Sequence, residues 1–252
     1  MTNEELLKRA DDLAARCEKT GSVTHTAFLT PAEQYALRGF RPRADCRIVF
    51  SGGVAGAERQ CAFFLPDWME EDAFDPSETI RCIRITAHFG APGHRDYLGA
   101  LLGMGVGREW IGDILIRDSV AHVMCIRSVE AHLLGIEKVG RCGVKTAEIA
   151  LSDVPVPERK VKEMSFTVQS PRLDAVLSGL FHLSRTQAAE RIRAGDASLN
   201  WAECLRPDAE IRPGDIVSLR GYGKAEVKDL GGQSRKGRTY LIGEVYVYST
   251  LP

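Results

Sequence analysis

Basic side chains between residues 172 and 224 are placed where they could contact phosphate groups. Arg185 directly follows Ser184, which forms a capping box with Gln187 at the start of a predicted helix. Free backbone N–H groups and the helix dipole favour an anion at such a position. Arg191 lies one turn beyond Gln187, on the face opposite the apolar residues of the helix. Further bases at the ends of predicted elements are Arg172, Arg193, Arg220 and Lys224. The pattern predicts a phosphate-binding surface, although solvated surface arginines remain an alternative interpretation.

Two short helices and a small sheet must position these side chains. Apolar residues at helical spacing predict a first helix over residues 173–180, and a second follows from Ser184 to Gly195. Residues 197–200 alternate like a short strand, and a tight turn at 212–215 leads into a strand over 216–220. Such a unit has a small core, so its surface should carry its function.

The ordered motifs of this region resemble the S-four domain, the αL RNA-binding domain of small-subunit ribosomal protein four. The motifs are Arg-Leu-Asp at 172–174, Leu-Ser-Arg-x-x-Ala at 183–188, Gly-x-Ala-x-Leu-Asn at 195–200, Pro-Gly-Asp-Ile at 213–216 and Arg-Gly-x-Gly-Lys at 220–224. The resemblance implies contacts with folded RNA, recognised by shape and backbone. The residues it implies are Arg172, Asp174, Ser184, Arg185, Thr186, Gln187, Arg191, Arg193, Asn200, Arg220 and Lys224.

The middle of the chain predicts the split order β-α-β-β-α-β between residues 80 and 151. This order is typical of ferredoxin-like and related folds, and it serves many functions. An RNA-recognition motif would present aromatic residues on its third strand. That strand offers Ala121, Val123 and Cys125 instead, so this version is rejected.

The N-terminal region predicts two capped helices, from Thr2 and Thr30, and a hairpin over residues 46–65. An acidic stretch at 67–78 reads as a solvated connector and sets a boundary. The predicted class is α+β, with a small N-terminal α/β unit (1–78), a split β-α-β middle domain that binds RNA (79–158) and an S-four domain with a C-terminal hairpin (164–252).

Three segments, 52–59, 93–99 and 112–118, are similar to stretches of the bacterial YlmH family. That resemblance implies a ribosome-associated RNA-binding factor that acts on ribosomal RNA and tRNA of stalled large subunits, in translation quality control, with a link to cell division. Quality-control or division proteins would be further partners. Additional RNA contacts are expected at His94, Arg95, Arg108, Arg235, Lys236 and Arg238.

Several other function classes find no support in the residues. The net charge is −1, so any nucleic-acid signal must be local. The seven cysteines contain no Cys-x-x-Cys pair, and no apolar run suits a signal peptide or a membrane span. We therefore expect a cytoplasmic monomer with no metal, no cofactor and no catalytic residue. Two alternatives stay open: an RNA-modifying enzyme resembling pseudouridine synthases, which would use the S-four domain to dock its substrate, and a protein-interaction adaptor.

Overall fold

The computed structural model describes residues 2–156, 161–233 and 237–246. The chain divides into two compact units, one formed by residues up to 157 and the other by residues from 158 onward. In the described ranges, no helix combines the length and apolarity needed to cross a membrane.

The N-terminal part of the first unit packs two helices on a small antiparallel sheet. Thr2 and Thr30 each cap a helix through a reciprocal box with the glutamate three residues on, as predicted. The apolar stripe of the first helix, including Leu6 and Cys17, packs against Phe64. The elements are α1 (Asn3–Thr20), β1 (Thr24–His25), α2 (Pro31–Arg38), β2 (Cys46–Ser51) and β3 (Cys61–Pro66), and the sheet order is β1-β3-β2.

The acidic connector is not wholly solvated. It forms short 3-10 turns at Glu71–Ala73 and Pro76–Glu78. Between them, the ring of Phe74 lies 4.7 Å from that of Phe63, centroid to centroid. One aromatic side chain therefore ties the connector to the core beneath it.

The middle part has the predicted β-α-β-β-α-β order and one added short strand. Its elements are β4 (Ile80–Ala87), α3 (His94–Gly103), β5 (Ile111–Arg117), β6 (Val120–Ile126), α4 (Arg127–Leu133), β7 (Lys138–Val139) and β8 (Cys142–Ile149). The strands form one antiparallel sheet in the order β5-β6-β4-β8-β7.

The two faces of this sheet have different coverings. Ile83 and Ile85 face the helices α3 and α4 and share a core with Tyr97. Residues on the opposite face, such as Ile80 and Met124, pack in one apolar cluster with Phe28 and Phe63 of the N-terminal part. The predicted boundary at residue 78 therefore falls inside one compact unit, because both sides of it contribute to one core.

The second unit places two helices on an antiparallel sheet of six strands. Its elements are β9 (Val161–Val168), α5 (Leu173–Phe181), α6 (Arg185–Arg193), β10 (Ala197–Leu199), β11 (Ala202–Glu203), β12 (Ile216–Leu219), β13 (Gly223–Gln233) and β14 (Thr239–Tyr246). The sheet order is β11-β10-β12-β13-β14-β9. The predicted stripe of α5, including Leu173 and Leu177, is buried with Ile192 of α6 and Leu241 of β14. His182 ends α5 in the left-handed conformation, with φ 55°, and so turns the chain into α6.

Candidate nucleic-acid interface

A buried carboxylate in α5 holds two arginines at the surface. Asp174 Oδ2 lies 2.8 Å from Nη2 of Arg185, and its Oδ1 lies 3.3 Å from Nε of Arg172. The Asp174 side chain is 8% exposed, against 53% for Arg185. Oδ1 also accepts a hydrogen bond of 2.8 Å from the backbone N–H of Ala175. The aspartate therefore lies beneath the two arginines and fixes one end of each guanidinium.

A second, partly buried carboxylate repeats this arrangement at the other end of α6. Asp196 Oδ2 lies 2.9 Å from Nη1 of Arg191, and its Oδ1 lies 3.3 Å from Nη1 of Arg220. The hydrogen bond to Asp196 raises the pKa of Arg191 above its ordinary value. Two guanidinium groups against one carboxylate leave a net positive charge at each cluster. We call these clusters the anchored arginine pairs: Arg172 and Arg185 on Asp174, and Arg191 and Arg220 on Asp196.

An exposed aromatic ring adjoins the second pair. The guanidinium carbon of Arg191 lies 5.7 Å from the ring centroid of Tyr222, within the range of a cation–π contact. The ring of Phe181 also lies 6.2 Å from that of Tyr222, centroid to centroid. Tyr222 is nevertheless 43% exposed. An exposed ring with an arginine and a phenylalanine beside it offers a surface on which a base could stack.

The remaining predicted residues of α6 divide into two groups. Ser184 and Gln187 cap the helix: Ser184 Oγ accepts from the backbone N–H of Gln187 at 3.1 Å, and Gln187 Oε1 accepts from that of Ser184 at 3.0 Å. Thr186 and Arg193 are exposed on the helix. The capping box predicted from the sequence is therefore present, and it occupies hydrogen-bonding groups of Ser184 and Gln187 that could otherwise bind RNA.

Asn200 and Lys224 have intramolecular contacts of their own. The amide of Asn200 donates to Asp215 Oδ1 at 2.8 Å and accepts from the backbone N–H of Ile216 at 2.9 Å. The Lys224 ammonium lies 5.4 Å from the ring centroid of Tyr246. Asn200, with φ 50°, thus connects the end of β10 to the turn before β12.

The bases predicted outside this helical face lie in different surroundings. His94 and Arg95 are exposed in the first turn of α3, whose cap is formed by Asp96 Oδ2 and the Gly93 N–H at 2.8 Å. Arg238 donates to the carbonyl of Thr167 at 2.8 Å. Arg235 and Lys236 lie outside the described residues.

Arg108 faces a cavity in the first unit. Its guanidinium donates to the carbonyls of Ile111 and Gly112. Burial, with a smaller contribution from the nearby Arg59, lowers the pKa of Arg108 to about 10. The two arginines line a cavity of about 410 Å³. Arg108 is therefore half-buried, unlike the exposed bases of α6.

Metal-binding groups are dispersed. Over residues 2–156, 161–233 and 237–246, no group of three or more His, Cys, Asp or Glu could hold a metal ion. The seven cysteines are free thiols, and burial raises the pKa of Cys125 to about 12.

Sequence reasoning did not single out Asp196 or Tyr222 as parts of the site. Asp196 directly follows Gly195, which ends α6, and an acid just beyond a helix rich in arginine was the available signal. Tyr222 lies between two glycines, a position typical of an exposed turn. Both residues acquire their roles only when the turn after β12 folds back onto α6.

Two family models match the first unit. Residues 2–65 match the model described as "YlmH, N-terminal", and residues 73–153 match "Putative RNA-binding domain in YlmH". Together the two matches span more than half of the chain.

A curated relative and a solved structure extend the comparison. "Ribosome-associated protein quality control protein P2" of Bacillus subtilis (strain 168) is 29% identical over 214 residues, which cover 84% of this chain and 83% of the relative. The solved structure titled "Cell division protein ylmH from Streptococcus pneumoniae" superposes with a TM-score of 0.52 at 18% identity, covering 60% of this chain and 93% of that one. The second likeness is one of fold.

Proposed function

The chain belongs to the YlmH family, and on that premise we propose that it is a non-catalytic RNA-binding protein of the large ribosomal subunit. In this proposal it contacts ribosomal RNA and tRNA and takes part in translation quality control in the cytoplasm. The observation that carries the proposal is the presence of two anchored arginine pairs on one S-four-like unit. The family match to an RNA-binding domain and the name of the Bacillus relative support the same role.

The anchored pairs suit phosphate recognition for a stated physical reason. A free arginine side chain loses about 2 kcal/mol of rotamer entropy when it is fixed. Asp174 and Asp196 restrict the guanidinium groups before any RNA arrives, so less of this entropy is lost on binding. Each guanidinium has five N–H donors in a planar fork, and a carboxylate occupies only some of them. The donors that remain can contact phosphate oxygens in a fixed geometry.

Asp174 was predicted among the RNA-binding residues, and its burial supports an indirect part in that role. A carboxylate that is 8% exposed presents little surface to RNA and would repel phosphate if it did. We therefore assign Asp174 and Asp196 as positioning residues for the four arginines. Arg172, Arg185, Arg191 and Arg220 are assigned as the contacts.

The first test removes one pair. In the double variant Arg172→Ala, Arg185→Ala, we expect affinity for large ribosomal subunits to fall on the order of a hundredfold or more, since each arginine removed loses at least one charge-assisted hydrogen bond of about 1.5–3 kcal/mol. The salt dependence of binding should also flatten, because fewer counterions are released. Co-sedimentation with purified large subunits at several salt concentrations measures both effects.

A matched control lies in the same unit. Arg206 and Arg212 are each 75% exposed, and they form ion pairs with Asp208 and Glu210 rather than with Asp174 or Asp196. The variant Arg206→Ala, Arg212→Ala removes the same charge. If both double variants sediment like the unchanged protein, or if both lose binding equally, the assigned contacts are wrong.

The non-catalytic part of the proposal has its own test. The segment around His94 resembles no complete catalytic motif, and its Asp96 carboxylate is engaged in a helix cap. We expect ribosomal RNA and tRNA from a strain that lacks the protein to carry the same modifications as those of its parent. Mass spectrometry of both RNA pools is the measurement, and one modification lost with the protein would favour the RNA-modifying alternative.

A further inference from the structure

In one half of a face of the middle sheet the basic side chains are exposed, a histidine among them is buried, and no side chain is acidic. Directly opposed residues of neighbouring strands point to the same face. Arg84 on β4 is opposite His122 on β6 and Ala147 on β8. In the next row, Thr86 is opposite Val120 and Lys145.

Strand β5 completes this surface. Leu115 is opposite His122, and Arg117 is opposite Val120. We call this surface the basic sheet face, and its eight positions are Arg84, Thr86, Leu115, Arg117, Val120, His122, Lys145 and Ala147. They include three bases and one histidine, and no carboxylate.

The same face is covered further along the strands. Ile80, Cys82 and Met124 are buried against Phe28 and Phe63 of the N-terminal part. Beyond this covered region Arg84, Arg117 and Lys145 are exposed. Alternation along β4 explains this pattern. Its odd-numbered residues face the helices, and its even-numbered residues are apolar at 80 and 82 but polar at 84 and 86.

The three bases are also without an anionic neighbour. Among the residues that the structure describes, none of the three has a carboxylate oxygen within 4.0 Å of its charged group. Arg81, on the same strand as Arg84, is within 3.8 Å of Glu148, but both lie on the helix-covered face. The basic sheet face therefore has an uncompensated positive charge, although the whole chain has a net charge of −1.

We propose that the basic sheet face binds the phosphate backbone of a helical RNA segment. Single-stranded RNA is usually held by aromatic side chains on which its bases stack. None of the eight positions is a Phe, Tyr or Trp and the one histidine is buried, so the face offers charge but no exposed aromatic ring. Helical RNA suits such a face, because it is recognised mainly through phosphates, 2′-hydroxyls and shape.

The dimensions of the face agree with several phosphate contacts. Arg117 and Lys145 lie on β5 and β8, which are three strand spacings apart, or about 15 Å. Arg84 lies between them on β4. This surface belongs to the first unit, so the inference does not depend on the anchored arginine pairs of the second.

The test compares two RNA probes with the full-length protein. One probe is an RNA duplex of about 20 base pairs and arbitrary sequence, and the other is oligouridine of the same length. The variant is Arg84→Gln, Arg117→Gln, Lys145→Gln. Each phosphate contact contributes about 0.9 to the slope of log affinity against log salt for a duplex, by analogy with DNA. We expect the slope to fall by about 2 to 3 and duplex affinity to fall about tenfold or more, while oligouridine binding changes much less.

A charge-matched control separates a site from bulk electrostatics. Lys8, Lys19 and Arg43 are exposed bases of the same unit that lie outside the sheet face. The variant Lys8→Gln, Lys19→Gln, Arg43→Gln should bind the duplex as the unchanged protein does. The proposal is overturned if this control loses as much duplex affinity, if the sheet variant loses none, or if oligouridine binding falls as far as duplex binding.

Two further measurements keep the outcomes separate. The single variant Lys145→Glu, with thermal unfolding as a check, replaces the triple variant if the latter melts at a lower temperature. Lys145→Glu must then lower duplex affinity, or the proposal fails.

The Arg172→Ala, Arg185→Ala variant is measured in parallel. If the sheet variant binds more weakly and the arginine variant does not, the assigned ribosome contacts are refuted and the sheet face is supported. If only the arginine variant binds more weakly, the sheet face is refuted and the assigned ribosome contacts are supported.

Discussion

The two basic surfaces of this molecule use the same residue types in opposite ways. In the second unit, the buried Asp174 and the partly buried Asp196 each hold two arginines. In the first unit, the bases of the sheet face have no such carboxylate among the described residues. A carboxylate beneath an arginine lowers the local positive charge but fixes the guanidinium. Its absence leaves the full charge on side chains that no carboxylate fixes.

This difference predicts different kinds of recognition. Fixed donors lose little entropy on binding and demand a particular arrangement of phosphates, so they favour specificity. Mobile, uncompensated bases attract any phosphate backbone, and their binding depends strongly on salt. We therefore expect the anchored arginine pairs to select the RNA site and the basic sheet face to add general affinity.

The sharpest test of the comparison is Asp174→Asn. If the aspartate only placed negative charge near RNA, its removal would strengthen binding. If it positions Arg172 and Arg185, its removal should weaken binding by about tenfold or more, because two charge-assisted contacts lose their fixed geometry. Equilibrium binding to large ribosomal subunits, measured for Asp174→Asn and for the control Asp208→Asn, gives the sign directly. A gain in affinity with Asp174→Asn would end the anchoring interpretation.

A second test concerns Tyr222, an exposed aromatic ring beside Arg191 of the anchored arginine pairs. Base–aromatic stacking contributes about 1–3 kcal/mol per base. In Tyr222→Leu we expect binding of RNA with unpaired bases to weaken about five- to tenfold or more, with little change for a plain duplex. Fluorescence anisotropy with a hairpin RNA and with its fully paired counterpart measures the ratio. The exposed Tyr240, changed to leucine, is the control, and equal losses in both variants would exclude a stacking role for Tyr222.

The smallest effect is expected at His122, within the basic sheet face. Burial, and then the nearby charge of Arg84, lowers the pKa of His122 below its ordinary value. Arg84→Gln should raise this pKa, whereas Lys138→Gln, on the far edge strand, should not. Titration of the His122 ring protons by NMR measures the shift. An unchanged pKa would mean that Arg84 does not lie over His122, and the arrangement of the face would need revision.

The same histidine links pH to stability. Because its pKa is lower in the folded state than in the unfolded state, folding favours the neutral ring. The stabilisation is present above the unfolded pKa of about 6.5 and is lost as pH falls through the lowered value. Bound RNA would raise the pKa of His122, since phosphate stabilises the imidazolium form, and this pH window would move upward with it.

Much of the fold could be predicted because its signals are local. Thr2, Thr30 and Ser184 all cap helices where the sequence places them, and the order of helices and strands along the middle part follows from periodicity. Alternation along β4 also separates two faces. The alternation does not predict that Phe28 and Phe63 cover only half of one face, because that covering depends on packing between distant segments of the chain. The boundary predicted at 78 passes through a compact unit for the same reason.

The candidate site could be predicted in its residue types but not in its organisation. Arg172 and Arg185 stand at element ends in the sequence, as they do in the structure. The pairing of Arg191 with Arg220 across Asp196 needs the turn after β12 to return to α6, and no local pattern encodes that approach. Arg108 differs from Arg191 and Arg220, because its guanidinium bonds to the backbone carbonyls of residues only three and four positions further along the chain, Ile111 and Gly112.

The sheet order of the second unit has a consequence for how the chain folds during synthesis. Its first strand, β9, pairs along its whole length with its last described strand, β14, from Val161 opposite Tyr246 to Val168 opposite Thr239. Leu241 of β14 is fully buried beneath α5 and α6. A growing chain that ends before β14 therefore leaves both an unpaired strand edge and an unfilled core. Non-local pairing of this kind forms late, so the unit should mature only after nearly all of the described chain has left the ribosome.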